Sequence, residues 1–272
     1  MRKAVVRSVA ALAFIAPLTV LIAACGKSPE AVCKRFDELS KDDKDKQSID
    51  DCKKEMEEIK KASPKGFDCI AKCSDLSSGE AAGLCMFGCV GTDKALEEVL
   101  EKSSKEKQEK RDKEEAEKMV GWSKKADKAF EGALKDFSDK ETKYSITLVE
   151  GFKEDAAGGG FMKGYEFDAG EKSFGGPHIT VTSGSSEEPA KALEDAVSTA
   201  GITKDKVVKK ESNDTGYLLH TEGEFGIGVE TMTKAGESNL KCSARMSSSA
   251  AVQKKDELFP WLEKMCKSLK AK

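Results

Sequence analysis

The sequence predicts a mixed α+β protein in three parts: a disulfide-stapled helical module, a charged helical spacer, and a mostly antiparallel sheet covered by helices. Three observations predict it. Helix-start signals and six closely spaced cysteines occupy residues 26–92. Nearly every residue from 101 to 118 is charged. Beyond 144, strand-like runs alternate with Gly-rich turns.

The chain opens with Arg2, Lys3 and Arg7, continues through an uncharged, mostly apolar run over 9–24, and places small residues before a cysteine at Leu21-Ile22-Ala23-Ala24-Cys25. That order reads as a secretory signal with a processing site. Leu21, Ala24 and Cys25 resemble the lipobox of bacterial lipoproteins. The resemblance implies cleavage before Cys25, lipid on its thiol and on the new N-terminus, and a membrane partner held through those chains. An uncleaved membrane helix is one rival, but 9–24 contains Pro17 and is shorter than the roughly twenty apolar residues a spanning helix needs. An ordinary secretory signal cut after Ala24 is the other. Each buried CH₂ contributes about 0.8 kcal/mol, and stable anchoring takes more than one chain. In the lipoprotein family an aspartate after the cysteine is the usual inner-membrane retention signal. Gly26 stands there, which points to an outer-membrane anchor, facing the periplasm or the surface.

Removing residues 1–24 leaves 248 and takes away three positive charges, moving the formal net charge from −3 to −6. A mildly acidic chain is not expected to have nucleic acid or an anionic membrane surface as its main partner. Aromatics are 6% and charged residues 35%, so part of the chain has little with which to build a core. Of nine cysteines, eight remain if Cys25 carries lipid, and an even number in an exported chain reads as four disulfides.

Within the module, Ser28-Pro29, Ser63-Pro64, Ser77-x-x-Glu80 and Ser48-x-x-Asp51 are helix starts, predicting helices near 29–40, 49–62, 65–74 and 79–90. Cys69-x3-Cys73 and Cys85-x3-Cys89 each place two cysteines on one helix face. An antiparallel hairpin turning near Gly79 brings Cys69 to Cys89 and Cys73 to Cys85. The arrangement resembles the twin C-x3-C hairpins of oxidatively folded intermembrane-space proteins over about twenty residues, a likeness of geometry that implies pairing but no activity. The Cys69–Cys89 loop constrains the unfolded chain by roughly 3 kcal/mol. Cys33 and Cys52 pair by elimination, although both lie near the start of their own helix, where antiparallel neighbours do not meet. Zinc held by the four hairpin thiolates is the competing reading, and an oxidising compartment disfavours it.

Residues 94–118 read as a solvated helical spacer carrying the i,i+4 pairs Glu101/Lys105, Glu106/Lys110, Glu109/Lys113 and Glu114/Lys118; a disordered linker is the alternative. Trp122, Ala126, Phe130, Leu134 and Phe137 then fall at helical spacing and predict an amphipathic helix packed on the next domain. The predicted domain limits are therefore 25–93, 94–141 and 142–272.

The last part reads as strands over 145–149, 161–167 and 178–182, a helix over 187–200 ended by Gly201, strands near 206–211, 216–221, 225–233 and 239–246, and a closing helix over 252–269. Cys242 on the last strand and Cys266 on the last helix form one bridge. Asp214-x-Gly216-Tyr217-Leu218-Leu219, Leu240-x-Cys242 and Cys266-x-Ser268-Leu269 carry a resemblance to PsbP-like domains, which are α/β/α sandwiches. The resemblance implies binding and assembly and supplies no active-site residues.

Chemistry is sparse. His178 and His220 are the two histidines, and neither has a partner at metal-ligand spacing. The sequence has no C-x2-C-H, redox C-x-x-C, H-E-x-x-H, G-x-S-x-G or phosphate-loop motif. No catalytic residue, cofactor or metal site is expected. The expected role is non-catalytic binding or scaffolding in the cell envelope with a protein partner. The alternative, from another class, is a thiol–disulfide or metal-handling protein working through the twin hairpin.

Overall fold

The structure is a computed structural model that describes residues 27–40, 47–136, 140–155, 158–168, 176–184 and 186–272. The signal sequence and Cys25 lie outside the described residues. The chain forms two compact units, Met1–Lys110 and Arg111–Lys272.

The first unit is helical: α1 (Pro29–Leu39), α2 (Ile49–Ala62), α3 (Pro64–Cys73), α4 (Gly79–Thr92) and the start of α5 (Lys94–Ser123). Serine side chains begin four of these helices. Ser28, Ser48, Ser63 and Ser78 accept from the backbone N–H of Ala31, Asp51, Gly66 and Ala81, each satisfying a donor that the helix itself leaves unpaired. For α4 the cap is Ser78 rather than the expected Ser77. Asp93 serves α5, accepting from the Leu96 N–H at 3.1 Å. The Ser63 hydroxyl donates to the Asp93 carboxylate, so the starts of α3 and α5 share one hydrogen-bond network. The core collects Val32, Met56, Ile59, Phe67, Ile70 and Leu96 around the half-cystines Cys33, Cys73 and Cys89.

Glu55 on α2 ties the charged run of α5 to this unit. Its carboxylate accepts from Ser103 Oγ at 2.6 Å and Lys107 Nζ at 2.7 Å. Burial pushes its pKa up, but Lys107, Ser103 and Gln47 outweigh burial and hold it below the usual carboxylate range. The run expected to be solvated throughout is therefore packed at its beginning.

The second unit takes up α5 at the other end, where Ala116, Met119, Val120 and Trp122 are buried in its core. Among the described residues the expected amphipathic helix is not there, and Phe137, the last of its stripe, lies outside them. The helix ends at Ser123, and β1 (Asp127–Lys135) follows as a strand paired antiparallel with β2 (Glu141–Val149). A spacing of four fits a period of two as well as a helix, so Phe130 and Leu134 share a strand face just as they would share a helix face. Pairing with β2 selects the strand, and Gly132 leaves room for it. This glycine faces Tyr144 in the register, and a Cβ there would sit 2.6 Å from the tyrosine oxygen.

The remaining elements are β3 (Phe152–Asp155), β4 (Met162–Phe167), β5 (His178–Gly184), α6 (Pro189–Thr203), β6 (Lys206–Asn213), β7 (Gly216–Gly223), β8 (Gly226–Ala235), β9 (Ser238–Met246), α7 (Ser249–Gln253), α8 (Lys255–Lys267) and β10 (Lys270–Ala271). They make a seven-stranded antiparallel sheet, ordered β3-β4-β5-β9-β8-β7-β6, and a three-stranded sheet, β1-β2-β10. α6 runs through Gly201 to Thr203 and is capped by Lys204, which adopts a left-handed conformation with φ 61°. The expected single closing helix is two, broken between Gln253 and Lys255. At the β7–β8 turn, Gly226 has φ 153° and a Cβ there would meet the Met246 carbonyl at 2.0 Å, so only glycine fits.

Alternation along the strands buries opposite faces of the large sheet differently. Leu218, Val229, Leu240, Cys242, Ala244, Ile179 and Val181 join the main core with α8 and the small sheet. Tyr217, Leu219 and Met232 form a second cluster with Leu193 of α6. Helices thus cover both faces. The Tyr144 and Tyr165 hydroxyls bond to each other in the interior, linking the two sheets.

Between the Glu55 contacts and Ala116, most of α5 is exposed. Local opening there breaks few buried contacts. Limited proteolysis of native protein should cut first within 108–114 and leave two protected fragments. A first cut outside 108–114 would contradict this reading of the helix.

Candidate functional site

Two constellations are built from chemistry-bearing side chains. The first is the cysteine framework. The structure joins Cys33 to Cys52, Cys69 to Cys89, and Cys73 to Cys85 in the helical unit, and Cys242 to Cys266 in the sheet unit. Their Cα separations are 5.8, 5.8, 5.5 and 5.3 Å, inside the range a disulfide spans. α1 has eleven residues, so Cys33, its fifth, lies near mid-helix rather than at its start. That brings it to Cys52, one turn into α2. In the hairpin, Cys73 Sγ lies 3.6 Å from Cys89 Sγ, so two bridges stack against each other. The sulfurs of Cys73, Cys85 and Cys89 all lie within 4.8 Å of one another. Such a cluster could bind a metal as thiolates; as disulfides these sulfurs have no thiolate to offer.

The second constellation is a cleft of about 470 Å³ between β6–β7 and the flank of α8. It centres on His220, which is 5% exposed and stacked on Phe259 with ring centroids 4.7 Å apart. His220 Nε2 lies 2.9 Å from a Glu263 carboxylate oxygen, off the line of an aligned hydrogen bond. Glu263 also receives Lys209 at 3.3 Å and Lys267 at 2.5 Å. Pro260 lines the cleft and donates no hydrogen bond to the Asp256 carbonyl one turn earlier.

Electrostatics fix the protonation states. Burial depresses the His220 pKa; Glu263 opposes this, while Lys209 adds to it. The ring is therefore neutral at neutral pH. For Glu263 burial acts upward, but Lys267 and Lys209 outweigh it and keep the carboxyl ionised. The lining is Lys209, His220, Asp256, Phe259, Pro260, Glu263, Lys264 and Lys267, without a hydroxyl or thiol nucleophile. A neutral imidazole beside an ionised carboxylate can accept a proton from a bound group, and two such donors alone make a poor metal site. His178, the other histidine, is exposed on the opposite face of the sheet, 3.9 Å from Asp155. The sequence exposed His220 but not Glu263 or Lys209. They converge from three elements, and only the i,i+4 pair Glu263/Lys267 had a local signal.

No protein-family model matches the chain, and no curated protein matches it. Among solved structures, the solution structure of cyanobacterial PsbP (CyanoP) from Synechocystis sp. PCC 6803 is similar over 54% of this chain and 93% of that chain, at 10% identity and a TM-score of 0.37. A similarity of that score assigns neither fold nor function. Among the described residues no helix is long and apolar enough to cross a membrane.

The depressed His220 pKa sets a pH window. The unfolded chain binds a proton near pH 6.5 that the folded chain resists, so this contribution to stability is present above about 6.5 and is lost as pH falls toward the folded value. Glu263, also depressed, loses its contribution only below its unfolded value near 4.5. The melting temperature should fall between pH 7 and 5.5, and His220→Asn should flatten that slope. An unchanged slope would place the titrating group elsewhere.

Proposed function

We propose that this is a lipid-anchored cell-envelope protein, attached through Cys25, with a non-catalytic binding or scaffolding role toward an envelope protein partner. The observation that carries the non-catalytic part is the state of the cysteines. All eight in the described residues are spent in disulfides, six in one unit and two in the other. That is a braced frame suited to an oxidising compartment. The anchoring part is supported by the lipobox-like Leu21–Cys25 stretch with its basic and apolar approach.

One observation favours a second reading. The stacked bridges of the hairpin bring three sulfurs together, an arrangement in which an incoming thiolate could shuffle pairs. A thiol-exchange role requires those bridges to be reduced while the unit stays folded.

Cys25→Ser tests the anchor. Fractionation should find the parent with membranes and the variant in the soluble envelope fraction. Equal membrane partitioning of the two would remove lipid attachment as the means of anchoring.

A further inference from the structure

α4 carries a surface that the core of its unit does not use. Of its fourteen residues one, Glu80, is charged, in a chain that is 35% charged. Ala82 and Cys89 face inward, and Cys85 and Cys89 are held by disulfides. Outward, Leu84 is 67% exposed and Phe87 40%. Gly88 and Gly91 continue the same face at i+4 and i+7 from Leu84, and nothing lies within 4 Å of where a Cβ on either would point. Leu76, in the turn before α4, is also exposed. Single exposed leucines need no explanation, whereas an uncharged strip along a helix does.

The occupant follows from where the chain enters. Lys27 Nζ donates to the Ala71 carbonyl at 3.4 Å and to Ser74 Oγ at 3.2 Å, and pairs with Asp75. Residue 27 is therefore fastened to the turn that joins α3 to α4. Cys25 stands two residues earlier in the sequence. At no more than about 3.6 Å per residue, its Cα lies within roughly 7 Å of that of Lys27, whatever path the chain takes. A lipid on Cys25 thus holds this turn at the bilayer, and the strip begins within two helical turns of it.

We propose that the Leu84 and Phe87 face of α4, with Leu76 in the turn before it, is a lipid-contact surface, seated at the boundary between headgroups and acyl chains beside the anchor. This rests on the lipidation of Cys25 proposed above. An interfacial helix buries its apolar side about 5–10 Å into that boundary, a depth that leucine and phenylalanine side chains suit. Glu80, at the start of the helix, bounds the strip on the side of the turn.

The test is hydrogen exchange, read by mass spectrometry, on the full chain produced in a bacterial host that processes lipoproteins. The acylated protein is placed in phosphatidylethanolamine–phosphatidylglycerol vesicles and compared with Cys25→Ser protein in solution. Peptides covering 76–91 should exchange about tenfold more slowly on vesicles, as amides do when local opening costs one more decade, while peptides from α2 do not change. The double variant Leu84→Ser, Phe87→Ser should stay on vesicles through its acyl chains, keep its disulfides and lose the protection. Acylated, vesicle-bound parent whose 76–91 peptides exchange as they do in solution would overturn the proposal and leave the anchor standing. An N-terminal peptide whose mass lacks acyl chains would overturn both. Protection of 76–91 that appears without vesicles and rises with protein concentration would assign the face to a second copy and overturn lipid contact.

Discussion

Three disulfides do in the helical unit what a larger apolar core does elsewhere. α1 to α4 are short, and isolated helices of ten to fourteen residues are marginal in water. The core they share contains one large aromatic, Phe67, and three of its ten fully buried residues are half-cystines. Sulfur therefore fills the interior as well as cross-linking it. Each bridge closes a loop of twelve to twenty residues, which in the chain-entropy picture restricts the unfolded ensemble by about 3 kcal/mol. That is comparable to the whole stability a domain of this size obtains from a core alone. The capping network of Ser63 and Asp93, and the Glu55 contacts with α5, act on a frame already cross-linked.

In the sheet unit the single bridge has a different task. Cys242 lies on β9, near the middle of the seven-stranded sheet, and Cys266 lies near the end of α8. The bridge pins that end of α8 to the sheet, where Leu258, Leu262 and Met265 are buried. Ser268 continues the fastening, accepting from the Thr147 N–H and donating to the Met265 carbonyl. With the helix held there, its other flank overhangs β6 and β7. Phe259 then reaches His220, and Glu263 gathers His220, Lys209 and Lys267. The cleft is a consequence of how the helix is fixed.

What the sequence reveals depends on whether its signal is local. Capping serines, tight turns and alternation are local, and the mixed α+β class with its antiparallel strands was legible from them. The i,i+4 cysteine spacing is equally local. The strand β1 was not legible, because residues 126, 130 and 134 satisfy periods of two and of nearly four alike. Only the distant pairing of β1 with β2 decides between them. Strands β3 and β10 are too short to show a period, at four and two residues. The charged run was legible as a helix but not as one tied to Glu55 at its beginning and buried near its end, since Glu55 lies about fifty residues from its partners in the chain. The His220–Glu263 contact spans a similar separation, and nothing beside either residue announces it.

The central claim is two units, each braced by its own disulfides, with no cysteine from 33 onward left for chemistry. Peptide mapping of native, non-reduced protein, with thiols alkylated before digestion, addresses it directly. The expected result is four linked peptide pairs, Cys33 with Cys52, Cys69 with Cys89, Cys73 with Cys85 and Cys242 with Cys266, and no alkylated cysteine among those eight. Alkylation of any hairpin cysteine in folded protein, or a peptide linking Cys242 or Cys266 to one of the other six, would contradict it.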